Sequence, residues 1–205
     1  MSGASSLLQT PGATAVLALT LAFSVVGLLW WPNLIERCVL RPYWLVRRGQ
    51  WHTLLTSGLV HADFGHLLLN MLTFWFFAFQ LERAIGTARF LVLYVLALVA
   101  SDLNTYLKHR NEPEYGSLGA SGAIAAVLFA SIVYFPGQSL FIIPIPVPIP
   151  APLFAVGYVA FSWYSARQAR GRVNHDAHLG GALFGLLFVA LTDPAAFGGL
   201  ARMLG

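Results

Sequence analysis

The sequence predicts an all-α membrane protein that forms one domain over residues 1–205 and crosses the bilayer six times. Composition is the first reason, because 58% of the residues are hydrophobic and only 10% are charged. A typical soluble domain has about 25% charged residues. The second reason is the distribution of the charges, which leaves long runs of sequence without Asp, Glu, Lys or Arg.

Each span is assigned to a charge-free run, because a helix needs about 20 mostly apolar residues to cross a bilayer. The first run ends in Trp30-Trp31, a pair suited to the membrane interface. The run from Tyr115 to Ala166 is long enough for two spans, which Pro136-Gly137 and a proline-rich segment separate. In chain order, the predicted spans are Ala13–Trp31, Phe64–Glu82, Phe90–Leu107, Ser121–Phe135, Pro152–Arg167 and His178–Leu191.

The segments around the first two spans carry further expectations. The N-terminal run is expected to be retained as a helix, since it lacks the basic segment and the cleavage site of a signal peptide. The loop Pro32–Gln50 is rich in Trp, Tyr and Arg and is expected to form short interfacial helices. Glu82 and Arg83 are expected to end the second span at the opposite surface.

Cysteine content and charge narrow the classes of partner. Cys38 is the only cysteine, which excludes an internal disulfide and a cysteine metal site. The net charge of +4 lies in the loops and is expected to meet lipid headgroups, since no nucleic-acid-binding motif accompanies it. The predicted partner is therefore the lipid bilayer, and no nucleic acid is expected.

Polar side chains are concentrated at one end of three spans. Successive spans cross in opposite directions, so the second, fourth and sixth begin on the same side of the membrane. His61, His66 and Asn70 lie at the start of the second span, Ser121 at the start of the fourth and His178 at the start of the sixth. Polar groups inside a bilayer cost free energy and usually serve a function. We therefore predict a single polar site just below that surface.

Small residues predict that the fourth and sixth spans pack together. Gly or Ala recurs at every fourth residue from Gly122 on the fourth span and from Ala177 on the sixth, which lets helix backbones approach closely in lipid. These faces begin one residue from Ser121 and His178, so their contact would bring the hydroxyl and the imidazole within hydrogen-bond reach. Serine and histidine are the minimum set for nucleophilic acyl transfer, because the imidazole can take the hydroxyl proton.

Groups able to stabilise a developing negative charge lie beside this pair. His66 and Asn70 are four residues apart and share a helix face. The first-turn N–H groups of the fourth span have no intrahelical partner and lie at the positive end of the helix dipole. Gly119 permits the backbone to turn closely into the site. These donors are candidates for an oxyanion hole.

Four ordered motifs carry a family resemblance. They are His61-Ala-Asp-Phe-Gly-His66-Leu-Leu-Leu-Asn70, Glu82-Arg-Ala-Ile-Gly86, Gly119-Ala-Ser121-Gly122 and Ala177-His178-Leu-Gly180-Gly181-Ala-Leu-Phe-Gly185. The sequence resembles the rhomboid intramembrane serine proteases, in their basic six-helix form. The motifs fall on the expected spans, and the resemblance covers roughly Trp51 to Leu191.

The resemblance implies a six-helix rhomboid bundle that hydrolyses peptide bonds in or near the transmembrane segments of single-pass membrane proteins. It assigns Ser121 as the nucleophile and His178 as the general base. The backbone of Ser121, with His66 and Asn70, would form the oxyanion hole. Four further residues are expected to support the site: Gly119, Gly122, His61 and Gly181. The reaction uses water as its second substrate, and no cofactor or metal is implied.

The resemblance also implies how a substrate enters and how the histidine is held. The fifth span and the loop Ser165–Asp176 would act as the lateral gate and cap. In several family members an aromatic ring one turn after the serine stacks on the catalytic histidine. Ala125 stands at that position here, so another ring would have to orient His178.

Two other classes of function fit parts of the same pattern. One is a membrane channel or metal transporter lined by His and Asp, since these side chains ligate divalent ions, although no His-Glu-x-x-His motif is present. The other is a catalytically silent rhomboid-like protein that binds membrane clients. The channel or metal transporter would use His61, Asp63, His66, His175, Asp176 and His178.

The distribution of basic residues and the family topology predict opposite orientations in the membrane. Nine of the 12 Lys and Arg residues lie, by parity, on the side of the polar site, and the positive-inside rule would place that side in the cytoplasm. The bacterial family form instead has a cytoplasmic N-terminus and a site that opens away from the cytoplasm. We follow the family and predict a multi-pass protein of the bacterial inner membrane.

Overall fold

Helices make up most of the chain in the computed structural model, which describes residues 9–142, 145–168 and 174–204. In chain order they are α1 (Pro11–Leu29), α2 (Pro32–Cys38), α3 (Pro42–Arg47), α4 (Thr53–Thr56), α5 (Phe64–Ile85), α6 (Thr87–His109), α7 (Ser121–Tyr134), α8 (Ala151–Gln168), α9 (His175–Thr192) and α10 (Phe197–Leu204). Short 3-10 turns at Ser57–Leu59 and Pro194–Ala196 follow α4 and α9. Strands β1 (Ser139–Ile142) and β2 (Ile145–Pro150) lie between α7 and α8.

The length and apolar composition of the helices are those of a membrane protein. Among the described residues, α1, α5, α6 and α9 are long and apolar enough to cross a bilayer, whereas α7 is shorter. The 22 residues of α5 and 23 of α6 extend about 33–35 Å at 1.5 Å per residue. The predicted all-α polytopic class is confirmed, and the count of six crossings stays a prediction.

Helix boundaries follow local chemistry. The first three helices begin at Pro11, Pro32 and Pro42. Proline has no backbone N–H, and at the first position of a helix that N–H would have no partner within the helix. Asp63 precedes α5, and its Oδ1 accepts a hydrogen bond from the N–H of His66 at 2.8 Å. Gly86 ends α5 in a left-handed conformation (φ 81°), which glycine adopts without steric cost.

Helix α7 lies at the centre of the bundle. Every residue from Gly122 to Val133 is buried, and α5, α6 and α9 all pack against this helix. Helix α8 lies at the periphery, where Ala151 and Ser162 are its buried residues. The fourth predicted span is therefore the core element, and the fifth is the least buried of the long helices.

Glu82 has a role that differs from the prediction of a surface residue ending the second span. Its side chain is buried, and its carboxylate accepts hydrogen bonds from the N–H groups of Gly12 (2.9 Å) and Ala13 (2.6 Å). The Thr87 hydroxyl donates a third bond at 2.7 Å. Glu82 thus caps the N-terminus of α1, where a negative charge is favoured by the helix dipole.

The first loop forms short helices α2 and α3, as predicted. Two of its arginines lie over aromatic rings of the same loop: Arg47 over Tyr43 at 4.1 Å and Arg48 over Trp44 at 3.5 Å. The proline-rich segment after α7 separates α7 from α8, as predicted, and forms two antiparallel strands that the sequence analysis did not predict. Its register pairs Ser139 with Pro150.

Candidate active site

The start of α7 is shaped by Gly119. This residue has φ 109°, and its N–H donates to the Ser57 carbonyl at 2.9 Å. A Cβ at position 119 would meet the His66 imidazole at 2.6 Å. Gly119 therefore permits both the turn into α7 and the approach of His66 from α5.

Ser121 is the first residue of α7, and the helix N-terminus has no side-chain cap. Its first-turn N–H groups, which have no intrahelical partner, remain available to an incoming acceptor. The Ser121 side chain is half-buried, so the hydroxyl is neither sealed in the core nor fully exposed. The helix therefore begins at the residue predicted as the start of the fourth span.

Helices α7 and α9 pack through their small residues. A Cβ on Gly181 would collide with the carbonyl of Gly122, and one on Gly185 would collide with the carbonyl of Ala126. A Cβ on Gly122 would lie 3.2 Å from the Ala177 carbonyl oxygen. The two helices therefore run parallel in close contact, as the spacing of small residues predicts.

This contact sets the positions of Ser121 and His178. Each is the chain neighbour of a residue in the interface, Gly122 on α7 and Ala177 on α9. In the described part of the chain no hydrogen bond joins the Ser121 hydroxyl to the imidazole. Catalytic hydrogen bonds are often long without substrate and tighten when it binds.

The rings of Tyr158 and His175 lie beside His178. The ring of Tyr158 on α8 lies nearly parallel to the imidazole, at a centroid distance of 6.3 Å and an angle of 23°. His175 approaches edge-on at 5.8 Å. Tyr158 is itself held by Phe129 and Phe154, with centroids 5.4 and 5.8 Å away. Tyr158 is thus the ring beside His178 that the sequence, with Ala125 after the serine, left unidentified.

His66 and Asn70 are held by local hydrogen bonds. The Asn70 Nδ2 donates one bond to the His66 carbonyl at 3.0 Å, which leaves its second N–H available. The His66 imidazole lies against Gly119, two residues before Ser121. The structure therefore gathers residues from α5, α7 and α9 at one end of the bundle.

His61, which was expected to support the site, is buried inside the protein. Its ring is fully buried, contacts His66 edge-on at 4.8 Å and shares a 2.9 Å hydrogen bond between Nδ1 and the Ser24 hydroxyl. Burial lowers the pKa of His61 to about 3, and the neighbouring His66 adds to the decrease. A neutral His61 therefore packs behind His66 and links it to α1.

Asn174 lies beside the candidate site, although the sequence did not single it out. Its Oδ1 caps α9 by accepting from the Ala177 N–H at 3.0 Å. Its Nδ2 donates to the hydroxyls of Thr105 on α6 (2.9 Å) and Ser117 (3.0 Å). Asn174 thereby ties the helix of His178 to the loop before Ser121. An Asn just before an apolar helix is a recognisable capping signal.

The predicted cap loop and the alternative metal site are considered next to the site itself. Part of the predicted gate and cap loop, residues 169–173, lies outside the described residues. The His and Asp residues proposed as a metal site form no group able to hold an ion within the described ranges.

Comparisons with known proteins show which sequences this chain resembles. Residues 48–194 match the family described as the Rhomboid domain. The chain is 30% identical over 187 residues to the presenilin-associated rhomboid-like protein, mitochondrial, of Mus musculus, covering 87% of this chain and 48% of that one. It is 33% identical over 143 residues to rhomboid protein 1, mitochondrial, of Saccharomyces cerevisiae, covering 66% and 40%. With the Bacillus subtilis protein YdcA it shares 44% identity over 80 residues, covering 38% and 39%. The chain spans less than half the length of each of these relatives.

Proposed function

Because this chain belongs to the rhomboid family, we propose that it is an intramembrane serine endopeptidase. Its substrates would be single-pass membrane proteins, cut in or near their transmembrane segments. The observation that carries the proposal is the close packing of α7 on α9 next to Ser121 and His178, where a Cβ on Gly122 would lie 3.2 Å from the Ala177 carbonyl oxygen. The chain itself is an integral, multi-pass membrane protein.

The chemistry would proceed through an acyl-enzyme. His178 takes the proton of the Ser121 hydroxyl while Oγ attacks the scissile carbonyl carbon. When the C–N bond breaks, His178 returns that proton to the leaving amine. Water then attacks the acyl-enzyme by the reverse proton path and regenerates Ser121.

Developing charge on the carbonyl oxygen would be stabilised by donors from two helices. The Ser121 backbone N–H lies at the positive end of the α7 dipole, and the free N–H of Asn70 and the ring of His66 complete the set. Removing one oxyanion donor typically lowers kcat by about 100- to 1000-fold. Asp63 and His61 support this arrangement because they hold the backbone and ring of His66.

The length of α7 supports access of water to a site inside the membrane. Its 14 residues extend about 21 Å, which is less than the roughly 30 Å hydrocarbon core of a bilayer. A helix this short that reaches one surface begins below the other. A substrate helix must unwind there, because intact helical hydrogen bonds hide the scissile carbonyl.

For the location, we propose the inner membrane of a bacterium. Similarity to a Bacillus subtilis protein supports this, as does the basic six-helix form that the motifs resemble. The mitochondrial relatives are similar over a longer part of the chain.

The test is covalent labelling combined with cleavage. The purified protein in liposomes is treated with a fluorophosphonate, which phosphonylates a serine Oγ with loss of fluoride when a base takes its proton. Wild type is expected to be labelled on the peptide that contains Ser121 and to cleave members of a panel of single-pass substrates. The matched control is Ser131→Ala, a serine of the same helix away from the site, which should label and cleave like wild type.

Other outcomes of this experiment point to the other classes. Binding of a substrate without labelling or cleavage would favour the catalytically silent client-binding protein. Saturable uptake or binding of a divalent ion, with no labelling, would favour a channel or transporter. Label on a serine other than Ser121 would contradict the assigned nucleophile.

Tyr158 is expected to orient His178, and its ring rather than its hydroxyl should matter. Aromatic pairs contribute about 0.5–1.5 kcal/mol, so Tyr158→Ala should lower kcat by about 2- to 10-fold. Tyr158→Phe should retain nearly full activity. Steady-state kinetics with one substrate measures both, with Tyr164→Ala as the control, since Tyr164 is an exposed tyrosine of the same helix. Equal loss in the alanine variants of Tyr158 and Tyr164 would contradict the orienting role.

A further inference from the structure

A cavity of about 350 Å³ opens between α6, α8 and α9. It lies where α6 and α8 end and α9 begins, so by parity it is on the same side of the membrane as the candidate active site. Lys108 comes from α6, Trp163 and Arg167 come from α8, and Asp176 and Leu179 come from α9. The cavity is separate from the α7–α9 contact, because α9 faces it with residues other than Ala177 and Gly181.

The charges that line this cavity leave a positive excess. Lys108 Nζ donates to Asp176 Oδ2 at 2.7 Å and to the Ala166 carbonyl at 2.9 Å. Asn104 donates to the other carboxylate oxygen of Asp176 at 3.1 Å. Both oxygens of the one acidic side chain of the lining are therefore occupied, while Lys108 retains a third N–H.

Arg167 supplies the second cation. Its guanidinium lies over the Trp163 ring, 3.8 Å from the ring centroid, and it forms no ion pair with any residue of the described ranges. Stacking fixes the plane of the guanidinium and leaves its edge free to donate hydrogen bonds. A guanidinium edge matches two oxygens of a phosphate at once.

An apolar surface continues from the cavity along α9. Leu179 lines the cavity, and Leu183 and Leu187 follow at intervals of four residues on the same helix face. These two leucines are 52% and 53% exposed, and Leu103 on α6 is 60% exposed. A ligand that fits this surface has an anionic head and a long apolar tail.

We propose that this cavity binds an anionic phospholipid. The phosphate would accept hydrogen bonds from Arg167 and the free N–H of Lys108, with Trp163 at the level of the headgroup, where tryptophan is enriched. An acyl chain would lie along Leu183 and Leu187. Guanidinium and ammonium groups bind phosphate oxygens through charge-assisted hydrogen bonds of this kind. The bound lipid would join α8, the least buried long helix, to α6 and α9.

The test compares lipid retention by the full chain. Wild type, Arg167→Gln and the control Arg202→Gln are purified in detergent and titrated with phosphatidylglycerol or phosphatidylcholine, and bound lipid is counted by native mass spectrometry. Arg202 is an exposed arginine near the C-terminus, on the opposite side by parity. Wild type and Arg202→Gln should prefer phosphatidylglycerol. Arg167→Gln should lose about fivefold in its affinity, the effect of one basic residue near an anionic surface.

A conservative variant and a titration with inorganic phosphate complete the test. Arg167→Lys preserves the charge and should recover part of the binding, which shows that any loss in Arg167→Gln is not a folding defect. Inorganic phosphate tests the other source of the same chemistry, and it should neither displace phosphatidylglycerol nor raise the Tm. Equal retention of the two lipids by wild type, equal loss in both glutamine variants, or displacement by inorganic phosphate would overturn the lipid site. Because the readout is lipid binding, it is independent of the proposed proteolysis.

Discussion

Ser121→Ala is expected to lower cleavage of a single-pass substrate by at least about 1000-fold, because no other group at the start of α7 can form the acyl-enzyme. His178→Ala should cause a similar loss, since the serine hydroxyl would keep its proton. The double variant should be little worse than either single variant, because residues that act as a unit are not additive. Initial rates in liposomes, with one substrate that wild type cleaves, measure all three.

The control for this prediction is the folded state of each variant. Ser121 is half-buried and, within the described residues, makes no hydrogen bond to His178, so the Tm of Ser121→Ala should differ little from that of wild type. An unchanged Tm together with lost cleavage separates chemistry from folding. Residual activity above a tenth of wild type in Ser121→Ala, free of contaminating protease, would refute the proposed nucleophile.

The second large effect is expected at the α7–α9 contact. In Gly181→Ala the new methyl group would overlap the Gly122 carbonyl, so the two helices must move apart. Overpacking of this kind costs about 1–3 kcal/mol, which corresponds to a decrease in Tm of about 2–12 °C for a chain of this size. Because Ser121 and His178 flank the contact, cleavage should decrease as well, and a displacement of about 1 Å can cost 100-fold.

Gly157→Ala is the matched control for Gly181→Ala. Gly157 lies within helix α8, and a Cβ there would meet no atom within 4 Å. Alanine in a helix interior is favoured over glycine by about 0.5–1 kcal/mol, so the control should keep its Tm or raise it slightly. Thermal unfolding in detergent and the cleavage rate are measured for both variants. Equal values of Tm would show that the small face of α9 is not in close contact with α7.

Much of the fold was predictable because membrane spans are set by local composition. Helices α1, α5, α6 and α9, which are long and apolar enough to cross a bilayer among the described residues, lie at four of the predicted spans. That the other two segments also cross stays a prediction. The small residues from Gly122 and Ala177 also predicted the packing of α7 on α9, since close backbone approach depends on residue size. The hairpin after α7 was not predicted, because its strands are short and rich in proline.

In the candidate site, too, some residues were predictable from the sequence and some contacts were not. The sequence itself singled out Ser121, His178, His66 and Asn70, because polar groups at the start of apolar helices are costly and few, and these assignments remain proposals. By itself the sequence determined the membrane class, the family and the helices that pack through small residues, since these depend on composition and on spacing within one segment. Only the tertiary structure placed Tyr158 beside His178, buried His61 against Ser24, and set Glu82 and Asn174 as caps that link distant segments. Each of those contacts joins residues that are 20 to 70 positions apart, and it forms only when the helices that carry them are packed together.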